Sequence, residues 1–251
     1  MAKILAVANQ KGGVGKTFLV FHLAHYLAEA GRRVLAVDLD PQGNLSLAFR
    51  LGGGAVEGCG VCGAFAAEGA LSPVDLGGGL WLVSADLELA RHGEGVRGVG
   101  AYFRLRRALE PLASGFDAVV LDCPPSLGLL SLSAFVCAGS VLVPLRPEVF
   151  SVSGLADLVG VVQEVRETVN PALSVAGLVL NAVQGRTRVA RDTLSELRGA
   201  VEFPVLAVVP ASVRAEEALR AGAPVWRLAP GSALARDLRA GLGAVVRALG
   251  L

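Results

Sequence analysis

A glycine-rich heptapeptide near the start of the chain constrains the fold more than any other segment. It follows an apolar run at residues 4–8, precedes apolar residues at helical spacing, and reads Lys11-Gly12-Gly13-Val14-Gly15-Lys16-Thr17. A strand, a glycine-rich loop and a helix in this order form a phosphate loop, because backbone N–H groups and the positive end of the helix then face a nucleotide's phosphates. The sequence therefore predicts a nucleoside triphosphate site.

This loop carries two lysines, whereas the general G-x-x-x-x-G-K-[ST] pattern requires one. The chain has 23 basic residues but only three lysines, and two of these, Lys11 and Lys16, lie in the loop. Lys16 is the compact cation expected at the β- and γ-phosphates, and the Thr17 hydroxyl suits Mg²⁺. Lys11 could serve a phosphate held by its own chain or reach across to a nucleotide held by another copy.

Strand-like and helix-like segments alternate along all 251 residues, of which 53% are hydrophobic. This alternation predicts one α/β domain over residues 1–251, with a mostly parallel, twisted sheet of seven or eight strands between helices on both faces, the three-layer P-loop NTPase fold. After the loop we expect strands near 34–37, 80–83, 116–122, 140–144, 175–181 and 205–209, and helices near 64–68, 102–112, 154–168, 188–198, 213–221 and 232–249. No apolar run reaches the ~18–20 residues of a membrane span and no signal sequence precedes the first strand, so we expect a cytoplasmic protein.

Aspartates follow two of the predicted strands. Asp38 and Asp40 come directly after the run at 34–37, and Asp122 ends the strand that begins near Phe116. Open α/β sheets bind ligands at the carboxyl ends of their strands, and an apolar strand ending in Asp is typical of a Walker B segment that serves magnesium. Aspartates at strand ends also occur simply as turn residues.

These motifs together resemble the ParA/MinD family of deviant Walker ATPases, and most closely its short ParA proteins of the Soj type, which partition chromosomes and plasmids. The resemblance covers nearly the whole chain. It rests on the K-G-G-x-G-K-[ST] loop and on the segments at 37–44, 121–126, 143–144, 209–210 and 213–214. The Asp-Pro-Gln-Gly-Asn sequence at 40–44 distinguishes the chain from MinD.

The resemblance implies an ATP-dependent sandwich homodimer with Mg²⁺ at each nucleotide. The implied catalytic residues are Lys11, which would cross to the partner's phosphates, Lys16, and Asp40, which would orient the attacking water or accept its proton. The implied magnesium residues are Thr17, Asp38 and Asp122. The implied nucleotide-binding residues are Gly12, Gly13, Val14, Gly15, Lys16, Thr17, Phe18, Asn181 at the adenine edge, and Pro210, whose backbone would pack on the base.

The resemblance also implies non-specific DNA binding, association with the nucleoid, and a ParB-type partner that stimulates hydrolysis. The last third of the chain is mildly basic, and its candidate phosphate contacts are Arg186, Arg188, Arg191, Arg214 and Arg220. Each of these arginines is also compatible with a solvated surface charge. The chain departs from the family pattern after Pro210, where Ala211-Ser212 replaces a frequent Arg-Asn.

Three alternative functions share the same loop. A MinD-like membrane role would need a free amphipathic tail, whereas we interpret residues 233–251 as a closing helix. An iron–sulfur redox ATPase would use Cys123 and Cys137, and a ParA-like protein could position another cargo. The pair Cys59 and Cys62 has no second pair of cysteines or histidines at metal-binding spacing, so we interpret it as part of a surface loop.

Overall fold

Eight strands form one sheet in the computed structural model, which describes residues 2–66, 69–95, 98–147, 152–184 and 202–251. The strands are β1 (Lys3–Val7), β2 (Val34–Asp38), β3 (Val74–Gly77), β4 (Leu80–Val83), β5 (Ala118–Asp122), β6 (Ser140–Leu145), β7 (Ser174–Val183) and β8 (Val205–Pro210). Their order across the sheet is β3-β4-β2-β5-β1-β6-β7-β8, and every neighbouring pair is parallel except β3 and β4. The predicted α/β fold and strand number are confirmed.

Ten α-helices and one 3₁₀ helix (Val99–Phe103) lie within the described ranges. The α-helices are α1 (Lys16–Glu29), α2 (Asn44–Leu51), α3 (Cys62–Phe65), α4 (Glu88–Gly95), α5 (Arg104–Ala113), α6 (Leu129–Cys137), α7 (Val152–Thr168), α8 (Arg214–Arg220), α9 (Val225–Leu228) and α10 (Ala233–Leu249). None of them has the length and apolar character needed to cross a bilayer.

Two separate cores lie on the two faces of the sheet. Alternate residues of β1 show the division, because Leu5 and Val7 belong to a core with α1, α2 and α8–α10, whereas Ala6 belongs to a core with α3–α7. Parallel strands covered on both faces contain continuous apolar runs, which explains the sequence of β1, β2 and β5. The three-layer arrangement predicted from the sequence is therefore observed.

Most predicted helices occur with small shifts at their ends. The helix predicted at 102–112 begins at Arg104, because residues 99–103 form the 3₁₀ turn, and the helix predicted at 64–68 occurs as α3 at 62–65. The helix predicted at 188–198 lies outside the described residues. The sequence analysis did not predict β3, α2, α4, α6 or α9. In α6, six of nine residues are buried, so no polar face marks its period.

Candidate nucleotide site

The glycine-rich loop joins the end of β1 to the start of α1 at the centre of the sheet. Gly13 and Gly15 have φ values of 71° and 96°, which glycine adopts without the steric cost that a Cβ brings. A Cβ on Gly15 would lie 2.0 Å from Nδ2 of Asn181, so this glycine also allows β7 to approach the loop. The first turn of α1 contains no acidic side chain, and its positive end is therefore available to an anion.

Lys16 is folded back into this loop and is 7% exposed. Its Nζ donates to the backbone oxygens of Asn9 and Lys11, each at 3.2 Å. Burial lowers the pKa of Lys16, and the nearby Asp122, Cys123 and Asp40 oppose that shift. A phosphate would replace the two neutral carbonyl partners with a full negative charge and would favour the charged ammonium.

The Asn9 side chain ties the loop to the neighbouring strand. Its Nδ2 donates to the Pro144 oxygen of β6 at 2.7 Å, and its Oδ1 accepts the Lys11 N–H at 2.9 Å. Arg146, which follows β6, adds a longer contact from Nη1 to the Gly13 oxygen at 3.4 Å. Sequence analysis missed both residues, although Asn9 lies only two residues before Lys11, and this position was the available signal.

Asp38 and Asp122 are neighbours at the carboxyl ends of β2 and β5, where they are paired in register. Both side chains are fully buried. Burial, with a contribution from Asp40, raises the pKa of Asp38 to about 7. Burial and the adjacent Asp38 raise the pKa of Asp122 well above its ordinary value. Two carboxylates this close and this dry favour neutral forms until a cation joins them.

The two aspartates have different surroundings. Asp38 accepts the Ser46 N–H and hydroxyl on Oδ2, at 2.9 and 2.8 Å, and the Asp40 N–H on Oδ1 at 3.1 Å. It therefore anchors the start of α2 and the segment that carries Asp40. Within the described part of the chain, neither oxygen of Asp122 has a hydrogen-bond partner of good geometry. The nearby Thr17 hydroxyl favours the charged form of Asp122.

This orphaned carboxylate beside a hydroxyl fits a magnesium site, because Mg²⁺ prefers hard oxygen ligands and few protein groups. Of the three residues that the sequence suggested for the metal, the structure brings Thr17 close to Asp122, whose oxygens have no well-formed hydrogen bond within the described ranges. Asp38 lies beside Asp122, but hydrogen bonds within the chain already occupy both of its oxygens.

Asp40 is half-buried and lines a cavity of about 460 Å³ in front of the loop. Its Oδ1 accepts the Gln42 N–H at 2.9 Å, so its side chain is oriented by its own turn. Gly12, Gly13, Gly15, Lys16, Thr17 and Phe18 line the same cavity from the loop and α1, and Leu47, Leu51, Pro125, Leu219 and Arg220 are among the residues that line the remainder. The cavity is large enough for phosphates with a cation and water.

Asn181 holds the loop from β7, since its Nδ2 donates to the Val14 oxygen at 2.9 Å. The next residue, Ala182, has a φ of 55°, an unusual value for a residue with a Cβ. Val183 pairs with Pro210, which ends β8. Asn181 is thus adjacent to the loop, whereas Pro210 lies beside Val183, two residues further along β7, and their roles at the adenine edge and against the base stay predictions. Phe18 and Val14 are buried in the core beneath the loop.

Comparison with known proteins agrees with this geometry. A family model described as an AAA domain matches residues 2–175. The chromosome-partitioning ATPase Soj of Thermus thermophilus is 40% identical over 231 residues, covering 91% of this chain and 89% of that protein. The chromosome partitioning protein ParA of Myxococcus xanthus is 37% identical over 230 residues, covering 90% of this chain and 81% of that protein. The chain belongs to the ParA/Soj family.

A crystal structure described as cobyrinic acid a,c-diamide synthase from Mycobacterium smegmatis has the same fold as this ParA/Soj chain. Its TM-score is 0.82 at 33% identity, and the match covers 98% of this chain and 95% of that one. That protein holds an ATP analogue and magnesium.

The arginines that the ParA/Soj resemblance suggested for DNA fall into two groups. Arg186, Arg188 and Arg191 lie outside the described residues. Arg214 and Arg220 lie on α8, with side chains 56% and 77% exposed, and each forms an ion pair at 2.7 Å, with Glu217 and Glu216 respectively. Exposed pairs of this kind contribute about 0–1 kcal/mol, so a DNA phosphate can compete for either arginine.

The cysteines and the last helix bear on the alternative functions of this ParA/Soj chain. Cys59 and Cys62 form a disulfide, and Cys62 is buried, so the pair is more than an exposed loop segment. Cys123 is fully buried and Cys137 is half-buried, an arrangement that does not favour a cluster shared between two chains. The apolar face of α10 is buried in the core, and it is therefore a closing helix, as predicted, and not a free amphipathic tail.

Proposed function

We propose that this chain is a DNA-partitioning ATPase whose nucleotide state controls its association with itself and with DNA. The observation that carries the proposal is the meeting of Lys16 and Asp40 at one cavity, with the buried Asp122 near Lys16, in a chain of the ParA/Soj family. ATP would bind with its phosphates on the loop, and Thr17 and Asp122 would hold Mg²⁺. The cation supplies charge neutralisation at the β- and γ-phosphates.

The chain's own residues divide the work of hydrolysis. Lys16 leaves its carbonyl partners in the loop and donates to the phosphates, where it is already within a desolvated site. Asp40 lies half-buried at the cavity, and its turn leaves it positioned to orient a water or to take its proton. Asp38 acts through Asp40 and α2, because it accepts hydrogen bonds from both segments.

A second copy of the chain would complete the site. Lys11 is half-buried beside the loop, and in the dimer it would reach the partner's phosphates. The cavity opens between apolar side chains, since Leu47 and Leu51 are 48% and 52% exposed and both line it. Apolar side chains at the mouth of a charged site favour burial against a partner surface. Dimerisation would then depend on ATP by linkage, because only the nucleotide-bound chain presents the complete interface.

We further propose that the closed dimer binds DNA without sequence preference and that a ParB-type partner triggers hydrolysis and release. The similarity to proteins named for chromosome partitioning supports DNA, and not a membrane, as the surface to which the dimer binds. Arg214 and Arg220 are candidate contacts on the described surface, and both would be doubled in a dimer. Contacts of this kind bind phosphates and therefore weaken steeply with salt.

The deciding experiment measures binding to unrelated DNA duplexes with ATP, with ADP and without nucleotide, over a series of salt concentrations. We expect binding with ATP alone, a steep loss of affinity with salt, and no dependence on sequence. Lys16→Ala should lose nucleotide binding and, with it, DNA binding, whereas Lys3→Ala, which removes an exposed lysine from β1, should behave as wild type. Equal DNA binding in all nucleotide states would contradict the proposed switch.

A further inference from the structure

The segment 58–62, here called the cysteine loop, joins two cysteines to the nucleotide site through hydrogen bonds. Cys59 is half-buried and Cys62 is buried, and their Cα atoms are 5.3 Å apart in the disulfide. Gly58 and Gly60 flank Cys59, and a Cβ on Gly60 would lie 2.8 Å from the Ser72 oxygen. The cysteine loop is therefore packed tightly against the backbone of its neighbours. Opening the Cys59–Cys62 disulfide should change the positions of the residues that the loop contacts.

Ser84, at the end of β4, is the residue that the cysteine loop holds. The Gly60 N–H donates to Ser84 Oγ at 3.1 Å, Ser84 Oγ donates to the Gly58 oxygen at 2.9 Å, and the Val61 N–H donates to the Ser84 oxygen at 2.9 Å. Ser84 is buried, so these three bonds are protected from water. The residue cannot shift without breaking them.

The connection continues from Ser84 into the nucleotide site. The N–H of the next residue, Ala85, donates to Ser46 Oγ at 2.9 Å, and Ser46 Oγ donates to Asp38 at 2.8 Å. Asp38 in turn accepts the Asp40 N–H. A second contact runs in parallel, because a Cβ on Gly43 would lie 2.7 Å from the Ala85 oxygen. The cysteine loop and the Asp40 segment therefore bear on the same short stretch of backbone.

We propose that Cys59 and Cys62 form a reversible thiol–disulfide centre that controls the nucleotide site through Ser84 and Ala85. In the disulfide form the loop holds Ser84, and Asp38 and Asp40 are ordered for nucleotide. Reduction opens the link, loosens the loop and weakens that order. The control of nucleotide binding rests on the proposed ATPase function, whereas the redox chemistry of the pair does not.

The chemistry is ordinary dithiol exchange with a small or protein thiol as the reductant. A thiolate attacks one sulfur of the disulfide, the Cys59–Cys62 bond breaks, and a mixed disulfide forms. A second thiol then displaces it, so two thiols are oxidised to one disulfide while Cys59 and Cys62 gain two electrons and two protons. Cys59 is the more accessible sulfur and is the expected point of attack.

Asp86 adjusts this equilibrium. One of its carboxylate oxygens and the two sulfurs all lie within 4.8 Å of one another. A negative charge beside the pair disfavours the thiolates, and it therefore favours the disulfide. Asp86→Asn should make the pair easier to reduce, which separates an electrostatic role of this carboxylate from a purely structural one.

The first test titrates the full chain in glutathione buffers of graded redox poise and counts free thiols by alkylation and mass analysis. Cys59 and Cys62 should convert together as one two-electron couple, while Cys123 stays protected. Cys137→Ser is the matched control and should titrate as wild type. Independent alkylation of the two cysteines would overturn the proposal. Zinc retained stoichiometrically by the reduced protein would also overturn it, because the three-residue cluster would then be a metal site.

The second test compares the affinity of a fluorescent ATP analogue for the oxidised and reduced chain. We expect about five-fold weaker binding on reduction, the lower end of the range for coupled sites. Cys59→Ser should match the reduced protein in every buffer, and Ser84→Ala should keep the redox couple but lose the difference in affinity. Equal affinity in both wild-type states would overturn the coupling. Failure of both states to bind nucleotide would contradict the ATPase proposal while the thiol titration still decides the redox centre.

Discussion

At the scale of single residues, the three aspartates of the site look alike in sequence but differ in what surrounds them. Asp38 accepts hydrogen bonds on both oxygens, Asp122 is buried and accepts no well-formed hydrogen bond from the residues that the structure describes, and Asp40 lies half-buried at the cavity. Only a group that faces the cavity can act on a water, and only a group with unused oxygens can bind a cation. Burial and hydrogen bonding therefore assign three different tasks to one residue type.

Asp40→Ala should keep nucleotide binding and abolish hydrolysis, because Asp40 contacts the cavity without supporting the phosphate loop. With ATP the variant should stay bound to DNA, since the dimer could no longer reset. Phosphate release and DNA retention measure the two effects. Asp75→Ala is the matched control, since Asp75 is another aspartate whose Oδ1 accepts the N–H two residues later. A normal hydrolysis rate in Asp40→Ala would reject the assigned role.

The raised pKa of Asp38, about 7, makes the stability of the nucleotide-free protein depend on pH. Between about pH 4 and pH 7 the folded chain keeps a proton that unfolded Asp38 has released, so this group's contribution to the free energy of unfolding falls as pH rises. Wild type should lose stability relative to Asp38→Asn across this window. His22, whose burial lowers its pKa to about 3, has the opposite sign but cancels in the difference.

Denaturant unfolding of both proteins at several pH values measures that difference. Asp75→Asn, at a surface position, should run parallel to wild type. If the curves of wild type and Asp38→Asn were also parallel, the buried carboxyl would not carry the proton assigned to it.

At the scale of elements, the sequence predicted best where one physical signal dominated. The apolar runs of β1, β2 and β5 have no explanation but two-sided burial, and Gly31, at a φ of 80°, ends α1 as expected. The sequence was least informative for helices whose ends are determined by tertiary contacts. Helix α2 begins at Asn44 after Gly43, and its start is stabilised by the distant Asp38, which no local pattern reveals.

The same reason explains what was missed at the site. Residues within the loop were readily predicted, whereas Asn9, Ser46 and Arg146 were missed, because each supports the site through contacts that the fold creates. The role predicted for Asn181 followed from the family resemblance, but its hydrogen bond to the Val14 oxygen depends on how β7 lies beside the loop. The sequence therefore reveals the residues that carry the chemistry of such a site more directly than it reveals the hydrogen bonds that support them.

Ser46→Ala tests whether the hydrogen bonds from Ser46 to Asp38 and Ala85 stabilise the nucleotide site as well as α2. Its hydroxyl donates to Asp38 and accepts the Ala85 N–H, and both partners are buried, so the substitution leaves a buried donor unsatisfied. We expect a loss of about 1–3 kcal/mol in the free energy of unfolding and weaker nucleotide binding. Ser212→Ala, whose hydroxyl accepts one local N–H near the surface, should cost less. Equal losses of unfolding free energy in the two variants would show that the buried hydrogen bonds of Ser46 contribute no more than the exposed one of Ser212.

At the scale of the whole molecule, the sheet places the nucleotide cavity at one surface of the chain. The loop, α2 and Pro125, which follows β5, line one cavity, and the exposed Leu47 and Leu51 are part of that lining. A site that is polar inside and apolar at its rim suits closure by a second copy more than by solvent. The dimer proposed here would therefore be an ATP-dependent interface, since neither chain alone covers that rim.

Gly12→Val separates the nucleotide site from this interface. Among the described residues, a Cβ on Gly12 would meet no atom within 4 Å, and its φ is not in the left-handed region, so the single chain should accept the larger side chain and still bind nucleotide. The branched side chain would instead project from the exposed loop, where a partner chain must approach closely. Sedimentation with a non-hydrolysable ATP analogue should find a dimer for wild type and for Gly231→Val, an equally open glycine far from the loop in sequence, but a monomer for Gly12→Val. An ATP-dependent dimer of Gly12→Val would show that the chains do not meet across the phosphate loops.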